Sequence, residues 1–316
     1  MDHSPESFQT HGGVVHTAYD PSNPPAHPGS DWTRFVCISD THSRIFPIPP
    51  GDVLLHSGDL TNKGKKQEVE AIMKWLKKQK HRVKIIIAGN HDLSFHEEWY
   101  EANYQWFHKQ TKESPPEIKE LIGQGREDGI VYLQDTSHSF RTKEGGREWT
   151  VHGFPWQPAF HNWAFNYDRG ESARAHVSTI PQVDILLTHA PPYKVLDKTR
   201  FDEDVGCPSL LLHLAAMKKP PLLHVFGHIH EAHGAVVQSY IDVVSTIRME
   251  ANPSIASNDT NNSQPDQSSE ARETIMINAA NMPLGPKARR KDGIRVQSGG
   301  PGFQPIIVDL LDSIQR

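Results

Sequence analysis

The chain has 316 residues, 36% of them hydrophobic and 8% aromatic, enough to bury a sizeable core in one large domain or two small ones. Formal net charge is −5 and the pI about 6.5, so no global charge draws the protein to polymeric nucleic acid or to an anionic membrane. No run of about 18 apolar residues occurs, the first thirty residues lack the apolar stretch of a signal peptide, and only Cys37 and Cys207 carry thiols; a reducing, cytoplasmic setting is the expectation.

In chain order, residues 1–31 are rich in His, Pro, Ser and Gly without periodicity and predict a disordered leader. The apolar run Phe35-Val36-Cys37-Ile38 then predicts a buried strand ending in Ser39-Asp40-Thr41-His42, where period-two alternation puts Asp40 and His42 on one side. A second run, Val53-Leu54-Leu55, ends in Gly58-Asp59. Lys65 to Lys80 predicts a helix, with Val69, Ile72, Met73 and Leu76 on one face and a solvated, Lys-rich remainder. Lys84-Ile85-Ile86-Ile87 leads to Gly89-Asn90-His91-Asp92, and residues 95–123 carry a helical pattern interrupted at Pro115-Pro116. Gly129 to Leu133 and Glu148 to His152 predict strands. Residues 153–170 are dense in aromatics and predict a hydrophobic cluster under a long loop, or a rim on which an aryl group stacks.

Pro181 to Thr188 predicts a strand leading to His189, Ser209 to Met217 a helix, and Pro221 to Phe226 a strand ending in Gly227-His228-Ile229-His230. Further strands are expected at Ala235 to Val244, Thr274 to Asn278 and Gln304 to Leu310. A polar insertion at about 250–273 is expected to be disordered, within a single domain spanning 32–316. Lys287 to Lys291 is a short basic run, solvated or in contact with an anionic partner.

Five times an apolar run ends in a residue type that ligates metals. Asp40, His42, Asp59, Asn90, His189, His228 and His230 are oxygen and nitrogen donors with no thiolate among them, a set suited to Mn²⁺, Fe or Zn²⁺. Seven donors exceed one ion's needs and serve two divalent metal ions if a carboxylate bridges, and Asp59 is the candidate bridge. Two metals about 3.5–4 Å apart clamp both oxygens of an in-line displacement at phosphorus. His91 is then the catalytic imidazole, with Asp92 expected to orient it by hydrogen bonding. Asn90, His91 and Arg169 are candidate substrate contacts, as is His152. His56, His161, His224 and His233 read as structural or surface residues.

The series Asp-X-His, Gly-Asp, Gly-Asn-His-Asp, His, Gly-His-X-His, complete and in order from Asp40 to His230, resembles the calcineurin-like metallophosphoesterase superfamily. Within it the chain looks most like the small metallophosphoesterase-domain-containing, brain-type phosphodiesterases, on Ile38 to His42, Asp52 to Asp59, Gly89 to Asp92, Pro155 to Pro158 and Leu187 to Pro192. The resemblance implies an α/β (α+β) four-layer α-β-β-α sandwich of two mixed β-sheets flanked by helices. It implies that Asp40, His42 and His230 bind one metal, that Asn90, His189 and His228 bind the other, and that Asp59 bridges them. The expected function is hydrolysis of phosphodiester bonds, of small or cyclic nucleotides, by a metal-activated water, with manganese the favoured metal. The alternatives are a weakly catalytic nucleotide-binding sensor, or a phosphomonoesterase or nuclease using the same site. Gly-Asn-His-Asp is followed by Leu93-Ser94 rather than the continuation expected of a protein phosphatase, and a basic channel for polymeric nucleic acid is not evident.

Overall fold

The computed structural model describes residues 7–109, 111–240, 272–280 and 304–314, together with the backbone of 290–291 and 294–295. The strands are β1 (Ser7–Thr10), β2 (Gly13–His16), β3 (Trp32–Ile38), β4 (Val53–Ser57), β5 (Val83–Ile87), β6 (Ile130–Tyr132), β7 (Thr136–Phe140), β8 (Trp149–Phe154), β9 (Gln157–Pro158), β10 (Asn166–Tyr167), β11 (Ile185–Thr188), β12 (Leu223–Phe226), β13 (Gly234–Ser239), β14 (Glu273–Asn278), β15 (Arg290–Lys291), β16 (Ile294–Arg295) and β17 (Ile306–Leu311). The α-helices are α1 (Lys66–Lys77), α2 (Glu97–Phe107), α3 (Pro115–Gly123), α4 (Glu171–Val177) and α5 (Pro208–Ala216).

Two large mixed sheets result. The first runs β1-β2-β17-β3-β4-β5-β6 and the second β13-β14-β12-β11-β8-β7. In the first, β3 to β6 are parallel and β17 is antiparallel to β3; in the second, β8, β11, β12 and β14 are parallel. The parallel strands are buried on both faces, which is why they read as continuous apolar runs rather than alternating ones. Phe35, Cys37, Leu55 and Ile85 of the first sheet meet Trp149, Val151, Leu187 and Val225 of the second in the central core. The opposite face of the first sheet, Val36, Leu54 and Ile86, takes Val69, Ile72 and Leu76 of α1 and Ile118 and Ile122 of α3. The outer face of the second, Leu186, Phe226 and Met276, takes Val177 of α4 and Leu210 and Leu214 of α5. The order of layers is therefore α-β-β-α, as expected.

Local chemistry sets the helix limits. Glu68 Oε2 accepts from the Lys65 amide at 3.0 Å and caps the start of α1, while Lys74 and Lys77 sit at its negative end. Pro115, whose missing N–H costs nothing in the first turn, opens α3 after Ser114. Both thiols are buried and unpaired. No described helix is long and apolar enough to cross a membrane.

One expectation needs correction. Residues 7–16, assigned to a disordered leader, form β1 and β2, and β2 lies against β17. Val15 is fully buried in the central core, a contribution of about 1.5–3 kcal/mol for an aliphatic side chain of this size. The buried Arg34 guanidinium makes a double hydrogen bond to Asp309 at 2.7 Å and also donates to the carbonyls of Pro25 and Ala26, and the Tyr19 hydroxyl donates to the Pro305 carbonyl at 2.6 Å. The pairing partner is almost three hundred residues away, so no local pattern announced it. Three strands went unpredicted nearer the site, β7 and the short pair β9 and β10. Residues 250–271 of the expected insertion, and 287–289 of the basic run, lie outside the described residues.

Candidate metal centre

The ligand-type residues converge at the carboxyl ends of five parallel strands. Asp40 and His42 follow β3, Asp59 follows β4, Asn90 and His91 follow β5, His189 follows β11, and His228 and His230 follow β12. Four of them have left-handed backbones: Asp40 (φ 54°), His42 (45°), Asp59 (52°) and His228 (66°). Non-glycine residues held there are strained by about 1–3 kcal/mol each and persist only where the surroundings over-determine them. Two glycines make the convergence possible by close approach. A Cβ at Gly227 would run into the Asp40 carboxylate and the Ser39 hydroxyl, and one at Gly89 into the Asp59 carboxylate and the His189 ring.

The oxygens and nitrogens interleave. His230 Nε2 lies 3.0 Å from Asp40 Oδ1, His42 Nε2 3.6 Å from Asp59 Oδ2, and His189 Nε2 3.5 Å from Asp59 Oδ1. Three overlapping groups, Asp40–His42–His230, His42–Asp59–His91 and Asp40–Asp59–His189, each bring one donor atom per residue within 4.8 Å of the others. His228 stands beside them, its ring centroid 5.0 Å from that of His189 and its backbone N–H donating to Asp40 Oδ2 at 3.0 Å. The structure thus brings together all seven sequence-predicted donors.

Three observations say that cations belong here. Asp40 and Asp59 are 0% and 2% exposed, yet among the described residues no Lys or Arg hydrogen-bonds to either. Two buried carboxylates without a cation would be prohibitively costly. His42 Nε2 is buried with no hydrogen-bond partner. His189 Nδ1 faces the Ser57 carbonyl at 2.9 Å and must carry the proton, so its Nε2 lone pair points at the Asn90 amide oxygen, 2.9 Å away, and at Asp59. A lone pair aimed at two oxygens is repulsive unless a cation lies among them. The donor set fits two divalent ions.

Electrostatics agree. Burial works against ionisation of Asp40, but His230, His189 and His42 outweigh it and hold the carboxyl below its usual range. Burial raises Asp59 against the pull of His189 and His91. Burial, with His91 and His230 adding to it, drives His42 well below its ordinary value, and burial takes His228 down to about 3. Neutral imidazoles are the form that ligates.

The expected role of Asp92 is not what the structure shows. Its oxygens accept from the amides of Gly89, Leu60 and Thr61 and from the Thr61 hydroxyl, at 2.7–3.1 Å, so they are committed to joining the Asp59 and Asn90 loops. Burial and the neighbouring Asp59 push its carboxyl up to about 7 against those donors. His91 is oriented instead by the Asn62 carbonyl, 2.9 Å from its Nδ1, and by Trp163, whose ring stacks on it at 4.2 Å. Arg169 donates both arms to the carbonyls of Val205 and Gly206, so its guanidinium braces that loop rather than the centre. His152 is buried on β8 against Ser137. The 153–170 stretch is mainly the expected hydrophobic cluster, with Ala164, Phe165, Trp156 and Trp163 packed against Leu93 and Tyr100.

Two histidines assigned only structural roles turn out to brace the ligand loops. Thr41, between two ligands, places its hydroxyl 3.0 Å from His56 Nε2 and donates to the Leu60 carbonyl. Thr188, beside His189, lies 2.8 Å from His224 Nε2 and donates to the Ala190 carbonyl. Since each hydroxyl spends its proton on a carbonyl, each imidazole carries its own on Nε2. Burial holds both rings neutral, lowered to about 3. The only sequence signal was a His three residues before Asp59 and another four before His228.

Comparison with known proteins bears on the same residues. The Calcineurin-like phosphoesterase family matches residues 33–232, which include every donor named above. Metallophosphoesterase domain-containing protein 1 of Homo sapiens is 41% identical over 224 residues, covering 68% of this chain and 65% of that protein, and the Mus musculus protein of the same name matches equally. UPF0046 protein T07D4.2 of Caenorhabditis elegans is 36% identical over 229 residues, 68% of this chain and 56% of its own length. The chain therefore spans somewhat under two thirds of the length of these relatives. With the motif series, the two-sheet fold and the converged donors in agreement, the chain belongs to the calcineurin-like phosphoesterase family.

Proposed function

We propose that the chain is a two-metal phosphodiesterase acting on small or cyclic nucleotides. The observation that carries the reading is the buried Asp40–Asp59 pair ringed by His42, His189, His228 and His230 without a Lys or Arg partner among the described residues. Asp40, His42 and His230 would hold one ion, Asn90, His189 and His228 the other, and Asp59 both. Divalent ions bound there acidify a water and neutralise charge building on phosphoryl oxygens.

The rest is done by the chain. The Asn62 carbonyl fixes the proton of His91 on Nδ1, which leaves Nε2 to exchange a proton with the departing oxygen. Trp163 stacked on the ring and the His91 amide bonded to Asp59 at 2.8 Å hold that imidazole at one angle to the centre. A diester fits this site better than a monoester. A monoester dianion brings a second negative charge, usually met by an Arg or Lys fork, and none contacts the described donors.

The test is to strip the protein with chelator, add back Mn²⁺, Fe²⁺, Zn²⁺ or Mg²⁺ singly, and compare bis-(p-nitrophenyl) phosphate with p-nitrophenyl phosphate. Metal-restored turnover at least tenfold faster on the diester is expected. Faster monoester cleavage would overturn the diester assignment, and no turnover with any metal would overturn the enzyme.

A further inference from the structure

A cavity of about 800 Å³ opens beside the loop that follows His91, between α3, β6 and the start of α2. It is distinct from the metal centre, since none of the seven donors lines it. Its size is that of pockets that hold drug-sized or cofactor-sized molecules. Three aromatic side chains, Phe95, Tyr132 and Trp156, line it, with Ile118 and Ile122 from α3.

The aromatic wall is already fixed. Trp156 Nε1 donates to Asp135 Oδ2 at 2.7 Å, and Asp135 is itself held in a left-handed conformation (φ 51°). Tyr132 donates its hydroxyl to Gln134 at 2.8 Å and meets the Phe95 ring edge-on at 5.6 Å. His96, also in the wall, accepts the Phe165 amide at 3.0 Å and stacks on that ring. Little ordering is left for a ligand to bring about, so little of its binding energy is lost to it.

Charge around the cavity is divided. Lys119 on α3 and Arg126 on the turn after it line one wall, and neither has an ion pair among the described residues. Glu97 and Glu98, at the start of α2, line another. Elsewhere on the surface, Lys66, Lys77 and Lys112 are paired with carboxylates. Two uncommitted cations lining the same cavity as a preformed aromatic cluster are the chemistry that holds a flat ring carrying an anionic group, by stacking and by charge-assisted hydrogen bonds.

We propose that this cavity is a second ligand site, separate from the metal centre, for a planar aromatic molecule bearing a sulfonate-, carboxylate- or phosphate-type anion. The probe is 2-naphthalenesulfonate, which has no phosphoester to hydrolyse, titrated into the metal-loaded protein by calorimetry. One saturable equivalent with a submillimolar Kd is expected. The Kd rises at least tenfold in the double variant Lys119→Gln, Arg126→Gln, whose two exposed positions leave the core untouched, and in Trp156→Leu, but stays within twofold in Asp59→Asn. Inorganic sulfate at the same concentration does not displace the probe. The absence of saturable binding, equal binding by the Lys119/Arg126 variant, loss of binding in Asp59→Asn, or displacement by sulfate would each overturn the proposal.

Discussion

The two sheets build one centre out of unequal parts. The first supplies both carboxylates, Asp40 and Asp59, together with His42, Asn90 and His91, whereas the second supplies only imidazoles, His189, His228 and His230. Negative charge therefore enters from one side and imidazole nitrogens from the other. The difference is one of chemistry and not of rigidity, because each sheet carries the same brace, a buried His on one strand bonded to a Thr adjoining a ligand of the neighbouring strand: His56 to Thr41 in the first, His224 to Thr188 in the second. A site made across two sheets needs both halves held to the same tolerance, since a displacement of either separates the oxygens from the nitrogens.

If the first sheet carries the charge, its loss is the largest effect. Asp59→Asn should abolish metal-dependent turnover and release bound metal, while His189→Ala, on the second sheet, should weaken binding without abolishing it. Equal metal retention by both variants and the wild type would break the comparison. Next comes His91→Ala, for which kcat should fall by about 10²–10⁴-fold, the usual worth of a positioned acid, with metal content unchanged. Metal lost along with activity would make His91 a ligand instead.

The braces sharpen the comparison. Thr41→Val and Thr188→Val keep the shape and remove the hydroxyl, and each should cost about 10–100-fold in metal affinity. A loss on one sheet and none on the other would mean the two halves are not held alike. Acid should act through the same histidines. With folded values of about 3 against 6.5 in the unfolded chain, His56 and His224 bind more protons when unfolded. Their contribution is intact above pH 6.5 and is lost as pH falls toward 3, by about 1.4 kcal/mol per pH unit for each ring. Urea unfolding at pH 6 and pH 5 should show a slope shallower by that amount in His224→Asn. The smallest effect belongs to Arg169→Gln, which removes one part-buried and one exposed hydrogen bond worth about 0.5–1.5 kcal/mol each and should leave KM within about twofold.

The site was legible because its residues sit where apolar runs stop. A parallel strand buried on both faces is mostly apolar until its end, so Asp40, Asp59, Asn90, His189 and His228 stand out from what precedes them even though His56 and His224 interrupt two of the runs. The four-layer fold came from the resemblance that the motif series carries, not from the runs alone. What stayed hidden depends on contacts between distant residues. β2 pairs with β17 across the whole chain, Trp163 reaches His91, and Asn62 offers a backbone carbonyl that no side-chain pattern encodes. Asp92 was misread for a related reason. Adjacency to His91 suggested a partner, but the turn in which Asp92 N donates to the Gly89 carbonyl directs its carboxylate toward the amides of residues 60, 61 and 89.

The most direct measurement is a calorimetric titration of the chelator-stripped wild-type protein with Mn²⁺, read as the number of sites. Two equivalents per chain, falling to one or none in Asp59→Asn, is the result expected of carboxylates and imidazoles that converge on a shared oxygen. Fewer than two in the wild type, or two retained in Asp59→Asn, would contradict a centre built around that residue.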